Sequence, residues 1–133
     1  MNKIFKVGLI GCGHISETYF RAEKYFNNIK IIKCADINHG NAVRCAKTYK
    51  IQALTVNELL KDKEIEIVLN LTIPKAHYKV AKQVLVNGKH VYSEKPLAIN
   101  FKDGKDLLRI AKKRGDLLFL LTQLQVITQN KNH

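Results

Sequence analysis

Cysteine is scarce. Cys12, Cys34 and Cys45 are the whole set, and no two of them form a C-x-x-C pair. That removes zinc fingers and ribbons, and an odd count removes a closed disulfide framework. The three are expected as free thiols in a reducing compartment, with Cys12 and Cys34 as small packing residues. No metal site is expected. No apolar run reaches the ~20 residues of a membrane-spanning helix. The basic start, Met1 to Lys6, is followed by no long apolar stretch with a small-residue cleavage site, so no signal peptide is expected and the default location is cytoplasmic. Acidic residues are also few, 11 against 23 lysines and arginines, for a formal charge of +12. The lysines are spread over every segment and aromatics do not interleave with them, so neither a nucleic-acid partner nor a membrane partner is expected. The surplus still provides a general field that attracts anions.

What is present points to a folded domain. Hydrophobic residues make up 46% of the 133, and a chain of this length buries roughly two-thirds of its unfolded surface. The opening stretch organises the rest. Ile4 to Ile10 is a short apolar run of the kind shown by a buried parallel strand. Gly11-Cys12-Gly13 breaks it, and a helical pattern begins near residue 13 or 14, with Ile15, Tyr19, Ala22 and Phe26 as its apolar positions. Strand, glycine turn and helix together are the context in which a G-x-G-x-x-G-like motif has meaning. Gly11 permits the sharp turn. Gly13 lets a pyrophosphate approach the backbone, and the helix start faces that anion with N–H groups. Ser16 takes the third glycine position, where its small size still allows close helix–strand packing.

Ile29 to Ala35 is a second strand, ended by Asp36. A carboxylate one strand beyond the glycine turn can accept from both ribose hydroxyls of NAD and repels the 2′-phosphate of NADP. The plainer role is a turn or helix-capping aspartate before Ile37-Asn38-His39-Gly40. Arg44, nearby, leaves NADP open. Further along, 41–49 reads as a helix, 51–54 as a short strand, 56–60 as one or two helical turns, and 64–71 as a strand ending in Thr72-Ile73-Pro74. The helix at 75–87 places Ala76, Val80, Ala81, Val84 and Leu85 on one face, with Gly88 as a stop. His77, in its first turn, either faces a ligand crevice or is a solvent-side or capping histidine. A strand at 89–93 precedes Glu94-Lys95-Pro96. Asn100 with Asp103 reads as a helix-start pair for a helix over 101–114, and 116–121 as a last strand. Strands alternating with helices predict a three-layer α/β/α, doubly wound parallel sheet, a Rossmann fold of order 3-2-1-4-5-6. Gly11, Asp36, Thr72 and Glu94 all fall at carboxyl ends of strands, where such sheets bind ligands.

With these pieces in order, the chain resembles the Gfo/Idh/MocA oxidoreductases, the family of glucose–fructose oxidoreductase and inositol dehydrogenase. The matching segments are Val7 to Ile15, Asp36, Thr72-Ile73-Pro74 with His77, and Asn87 to Leu97, within about residues 3 to 116. The resemblance implies an NAD(P)-dependent enzyme acting on a sugar or polyol hydroxyl. It implies that Gly11, Cys12, Gly13, His14 and Ile15 line the pyrophosphate loop and that Asp36 holds the adenine ribose. Thr72, Ile73, Pro74 and His77 would border the dinucleotide. Glu94 and Pro96 would flank the nicotinamide side, with Lys95 as the catalytic cation at the reacting oxygen.

The family adds a second, substrate-binding domain, which is absent from these residues. The expectation is a cofactor domain over 1–121 and a divergent tail over 122–133, from a frameshifted, prematurely ended or split coding sequence. Such a chain would bind cofactor with little or no turnover, and its apolar stretch from Leu117 to Ile127 would favour self-association. The alternatives are a non-catalytic NAD-binding sensor or partner subunit, and a nonfunctional relic.

Overall fold

Alternate residues of a strand point to opposite faces, so a strand buried on both faces must be apolar throughout. The central strand shows this directly. The computed structural model describes residues 3–93 and 100–114. In it, β1 (Phe5–Ile10) sends Val7 and Leu9 into one core and Ile10 into a second, on the other side of the sheet. The elements follow in the order α1 (Ile15–Glu23), β2 (Ile29–Ala35), α2 (His39–Tyr49), β3 (Gln52–Ala53), α3 (Val56–Lys61), β4 (Ile67–Asn70), α4 (Pro74–Val86), β5 (His90–Ser93) and α5 (Phe101–Arg114). All strand pairings are parallel, and the five strands lie in the order β3-β2-β1-β4-β5. Phe20 of α1 and Ala42, Cys45 and Ala46 of α2 pack on the Val7/Leu9 side. Leu59, Ala81, Leu85 and Leu107, from α3, α4 and α5, pack on the Ile10 side. This is the doubly wound, three-layer architecture expected. The strand expected at 116–121, the tail at 122–133, the self-associating stretch from Leu117 to Ile127, and Glu94, Lys95 and Pro96 lie outside the described residues. Among the described residues no helix is long and apolar enough to cross a membrane.

Several local expectations hold with small shifts. Pro74 occupies the first turn of α4, where its missing N–H costs nothing. Asn100 Oδ1 accepts from the Asp103 N–H at 2.8 Å, the capping pair ahead of α5. Thr55 and Glu58 form a reciprocal capping box at α3. Other expectations are corrected. α1 ends at Glu23, leaving Phe26 outside it and 54% exposed, and Ile15 faces solvent. The residues that α1 buries are Ser16 and Phe20, spaced i, i+4, and the Phe20 ring stacks on Tyr49. A small Ser16 lets the helix lie close, which outweighs the larger side chain one position earlier. β4 starts at Ile67 rather than at residue 64. Asp62 Oδ1 accepts the Glu64 N–H at 2.8 Å and Lys33 pairs with Asp62 and Glu64, so the segment before β4 is held as a turn. Lys89, read as the start of a strand, is buried and directs its ammonium at the Asp62 and Ile65 carbonyls.

The α4–α5 contact carries the clearest electrostatic tie. Asp106 accepts from Arg109 at 2.8 Å and from the Tyr78 hydroxyl at 2.8 Å, with Lys82 at 3.3 Å. Arg109 first, then Tyr78 and Lys82, hold its carboxyl at about 2, below the ordinary 3.8. A carboxyl whose folded value is depressed stabilises the fold above its unfolded value, and that stabilisation is lost as pH falls through the folded value. Asp106→Asn is therefore expected to lower stability at neutral pH by roughly 1 kcal/mol after solvent screening. It should also flatten the acid-induced loss between pH 3.8 and about 2, read by urea unfolding at stepped pH.

Candidate functional site

The register of the sheet decides what meets at its carboxyl edge. Ala35 of β2 pairs with Ile10 of β1, Ile10 with Asn70 of β4, and Asn70 with Ser93 of β5. Four strands thus end level, and the residues that follow, among them Gly11, Asp36 and Leu71, leave the sheet side by side. Gly11 crosses this edge at φ +105°, in the region closed to most side chains. Its N–H donates to the Ala35 carbonyl at 2.9 Å. A Cβ on Gly11 would meet the Leu71 carbonyl oxygen at 2.5 Å and the Thr72 nitrogen at 2.9 Å. Glycine is required there by the neighbouring backbone. Gly13 is different. A Cβ on it would meet nothing within 4 Å, and Gly13, His14 and Ile15 are all exposed. His14 caps α1 without a side-chain hydrogen bond. Ser16 is buried, and its hydroxyl donates to the Gly13 carbonyl at 2.6 Å.

Asp36 is brought against this loop. Its Oδ2 accepts the Cys12 N–H at 2.7 Å, while its Oδ1 accepts the Asn38 N–H at 2.8 Å. The turn role read as the plainer alternative is therefore real, with Asn38 rather than Asp36 as the cap of α2. A carboxylate offers about four acceptor sites, so two remain for a ligand's hydroxyls. Arg44 is exposed and donates to Asn41.

On the other side of Gly11, the loop from β4 to α4 is held by a residue that the sequence did not single out. Asn70 is fully buried. Its Nδ2 donates to the His77 carbonyl at 2.9 Å and to Ser93 Oγ at 3.2 Å, and its Oδ1 accepts from Thr72 Oγ1 at 2.7 Å. One amide thus joins the end of β4, the first turn of α4 and the end of β5, immediately before Glu94. An asparagine within an otherwise apolar strand was the available signal. His77 is buried, at 1% exposure, so the solvent-side alternative for it is set aside. Thr72 is half-buried, whereas Ile73 and Pro74 are exposed. Three exposed isoleucines stand beyond the ends of strands, Ile15 at 41% as the first residue of α1, and Ile37 at 99% and Ile73 at 67% on loops. Of these, Ile37 is a second residue the sequence reading passed over; an apolar side chain directly after the acidic residue was its signal.

The three cysteines, from three separate elements, gather beside Asp36. Cys34 and Cys45 are buried and Cys12 is half-buried, all as free thiols. The neighbouring Cys12 and Cys34 thiols hold the Cys45 thiol well below its ordinary range, while Cys34, then Cys45, and burial push Cys12 up.

A bare glycine crossing at the tip of β1, an open helix start and an acidic residue at the tip of β2 define the dinucleotide-binding class of parallel α/β domains. The comparisons make this specific. Residues 5–122 match the family model GFO_IDH_MocA, described as an oxidoreductase family with an NAD-binding Rossmann fold. The chain belongs to this family, and it is the family's NAD(P)-binding Rossmann domain. It is 31% identical over 116 residues to the inositol 2-dehydrogenase/D-chiro-inositol 3-dehydrogenase of Lactiplantibacillus plantarum, covering 84% of this chain and 33% of that protein. The biliverdin reductase of Synechocystis, solved with biliverdin and NADP+, is 28% identical with a TM-score of 0.77, over 84% of this chain and 35% of that one. The WlbA dehydrogenase of Chromobacterium violaceum, solved with NADH and UDP-GlcNAcA, shares the fold at 23% identity and a TM-score of 0.80, over 87% of this chain and 34% of that one. The chain spans about a third of the length of the curated relatives it matches.

Two measurements check this geometry. Gly11→Ala should destabilise the fold by more than about 2 kcal/mol through strain and backbone collision. Gly13→Ala, with open space around it, should stay within about 0.5 kcal/mol of the parent, both read by urea unfolding. Asn70→Leu leaves the Thr72 hydroxyl and the His77 carbonyl without their buried partner, and the expected loss is about 1–3 kcal/mol by the same measurement.

Proposed function

We propose that this domain binds NAD in preference to NADP across the carboxyl ends of β1, β2, β4 and β5, as the cofactor half of an enzyme that oxidises a sugar or polyol carbinol. The observation that carries the reading is the 2.7 Å hydrogen bond from the Cys12 N–H to Asp36 Oδ2. It puts the glycine turn and the acidic residue within one ligand's reach. The residues fit the group. Gly11, Cys12, Gly13, His14 and Ile15 surround the diphosphate, with Gly13 supplying the bare backbone and the start of α1 the positive end of its dipole. Asp36 accepts from the adenine ribose hydroxyls, and its charge repels a 2′-phosphate. Ile37 and Ile15 offer exposed apolar surface to flat rings. Thr72, Ile73, Pro74 and His77 border the other half of the cofactor, with the Asn70 amide fixing the backbone that carries them.

Glu94, Lys95 and Pro96 follow Ser93, the last residue of β5, in sequence. In this reading Lys95 stabilises negative charge on the carbinol oxygen and helps pass its proton to solvent. Bound nicotinamide supplies the hydride acceptor. The substrate class follows the inositol dehydrogenases that the chain resembles, and the domain's own contacts suffice for cofactor binding with little turnover.

Calorimetric titration with NAD and NADP side by side tests this. NAD should bind at least tenfold more tightly, about 1.4 kcal/mol. Asp36→Ala should weaken NAD binding and narrow the gap. Absence of binding by the folded protein removes the function, and equal affinities remove the preference.

A further inference from the structure

Cys12, Cys34 and Cys45 come from the glycine loop, the end of β2 and the middle of α2, 22 and 11 residues apart in sequence by their numbers. Nevertheless, their sulfurs all lie within 4.8 Å of one another. These three are the chain's entire complement of cysteine, and nothing in the proposed cofactor contacts uses a thiol. We propose that they form a three-sulfur site for a soft, three-coordinate thiophilic centre, with trivalent arsenic as the species that fits best.

The geometry is close to what such a centre needs. Bonds of about 2.3 Å to sulfur hold three ligands about 3.5–4 Å apart. The present separations, none above 4.8 Å, lie close to that spacing. At present Cys12 Sγ and Cys34 Sγ rest on the Ala35 and Ala42 carbonyls, each at 3.4 Å. Those are weak contacts to give up. Cys12 is half-buried and the other two are buried, so Cys12 is the most accessible of the three.

Charge and coordination number select the occupant. Soft thiolates take soft ions. Zinc wants a fourth protein ligand for a closed structural site, and among the described residues the cluster of ligand atoms contains only these three. A divalent ion on three thiolates would also leave a net negative charge beside the Asp36 carboxylate in a partly buried place, which is costly. Trivalent arsenic on three thiolates is neutral. The exchange balances without any change of oxidation state. As(OH)3 loses three hydroxyls, three S–H bonds break, three As–S bonds form, and three waters leave. Capture would tie the glycine loop, β2 and α2 into one unit.

Intact-mass measurement of the reduced full chain with arsenite reads the site directly and does not depend on whether a dinucleotide binds. The expected product is a single adduct heavier by one arsenic atom less three hydrogens, the signature of three thiols engaged, together with a raised melting temperature. Cys45→Ala should abolish that adduct and the thermal shift. An adduct that retains a hydroxyl on arsenic, showing only two thiols engaged, overturns the proposal, as does no adduct at a few equivalents of arsenite. If Cys45→Ala does not fold, the hydrogen count in the parent protein decides the matter alone.

Discussion

Everything at the candidate site depends on four strands ending level. The row Ala35, Ile10, Asn70, Ser93 is in register across the sheet, so the loops that leave it share one edge. Parallel pairing makes this possible, since each strand points its carboxyl end the same way and the helices return the chain along the faces. Gly11 is the crossing point of that edge. It passes so near the Leu71 carbonyl that no side chain fits. A single backbone approach therefore sets how closely the β1 and β4 loops can lie.

Two polar side chains hold the loops on either side of this crossing. Asp36 joins the glycine turn to the start of α2 through two backbone N–H groups. Asn70 joins β4, α4 and β5 through its amide. Buried polar groups are costly unless their hydrogen bonds are made, and when they are made they specify one arrangement. The apolar cores on the two faces of the sheet supply the driving force for folding, but they would tolerate small slips of these loops. The polar ties do not.

Much of this was legible in the residues. The alternation of elements, the bounds of α5, the Asn100–Asp103 cap and the proline at the start of α4 follow from local chemistry, and local chemistry survives into the fold. The misread positions share a cause. Periodicity gave α1 the apolar positions Ile15 and Phe26, but the residues it buries are Ser16 and Phe20. The start of β4 was displaced by Asp62, whose partner Lys33 is distant in sequence. His77 could not be assigned to crevice, solvent or cap because only the packing of α4 against the sheet shows it to be buried.

The functional motif divides the same way. Strand, glycine turn, helix and a following acidic residue were set by sequence alone, because each is a short-range demand on backbone freedom or charge. That Gly11 is irreplaceable and Gly13 merely bare, that Asn70 is a joint between three elements, and that three scattered cysteines meet in one cluster were decided only by tertiary structure. Those facts are distances between residues far apart in the chain, and such distances exist only once the strands have chosen their neighbours and their register.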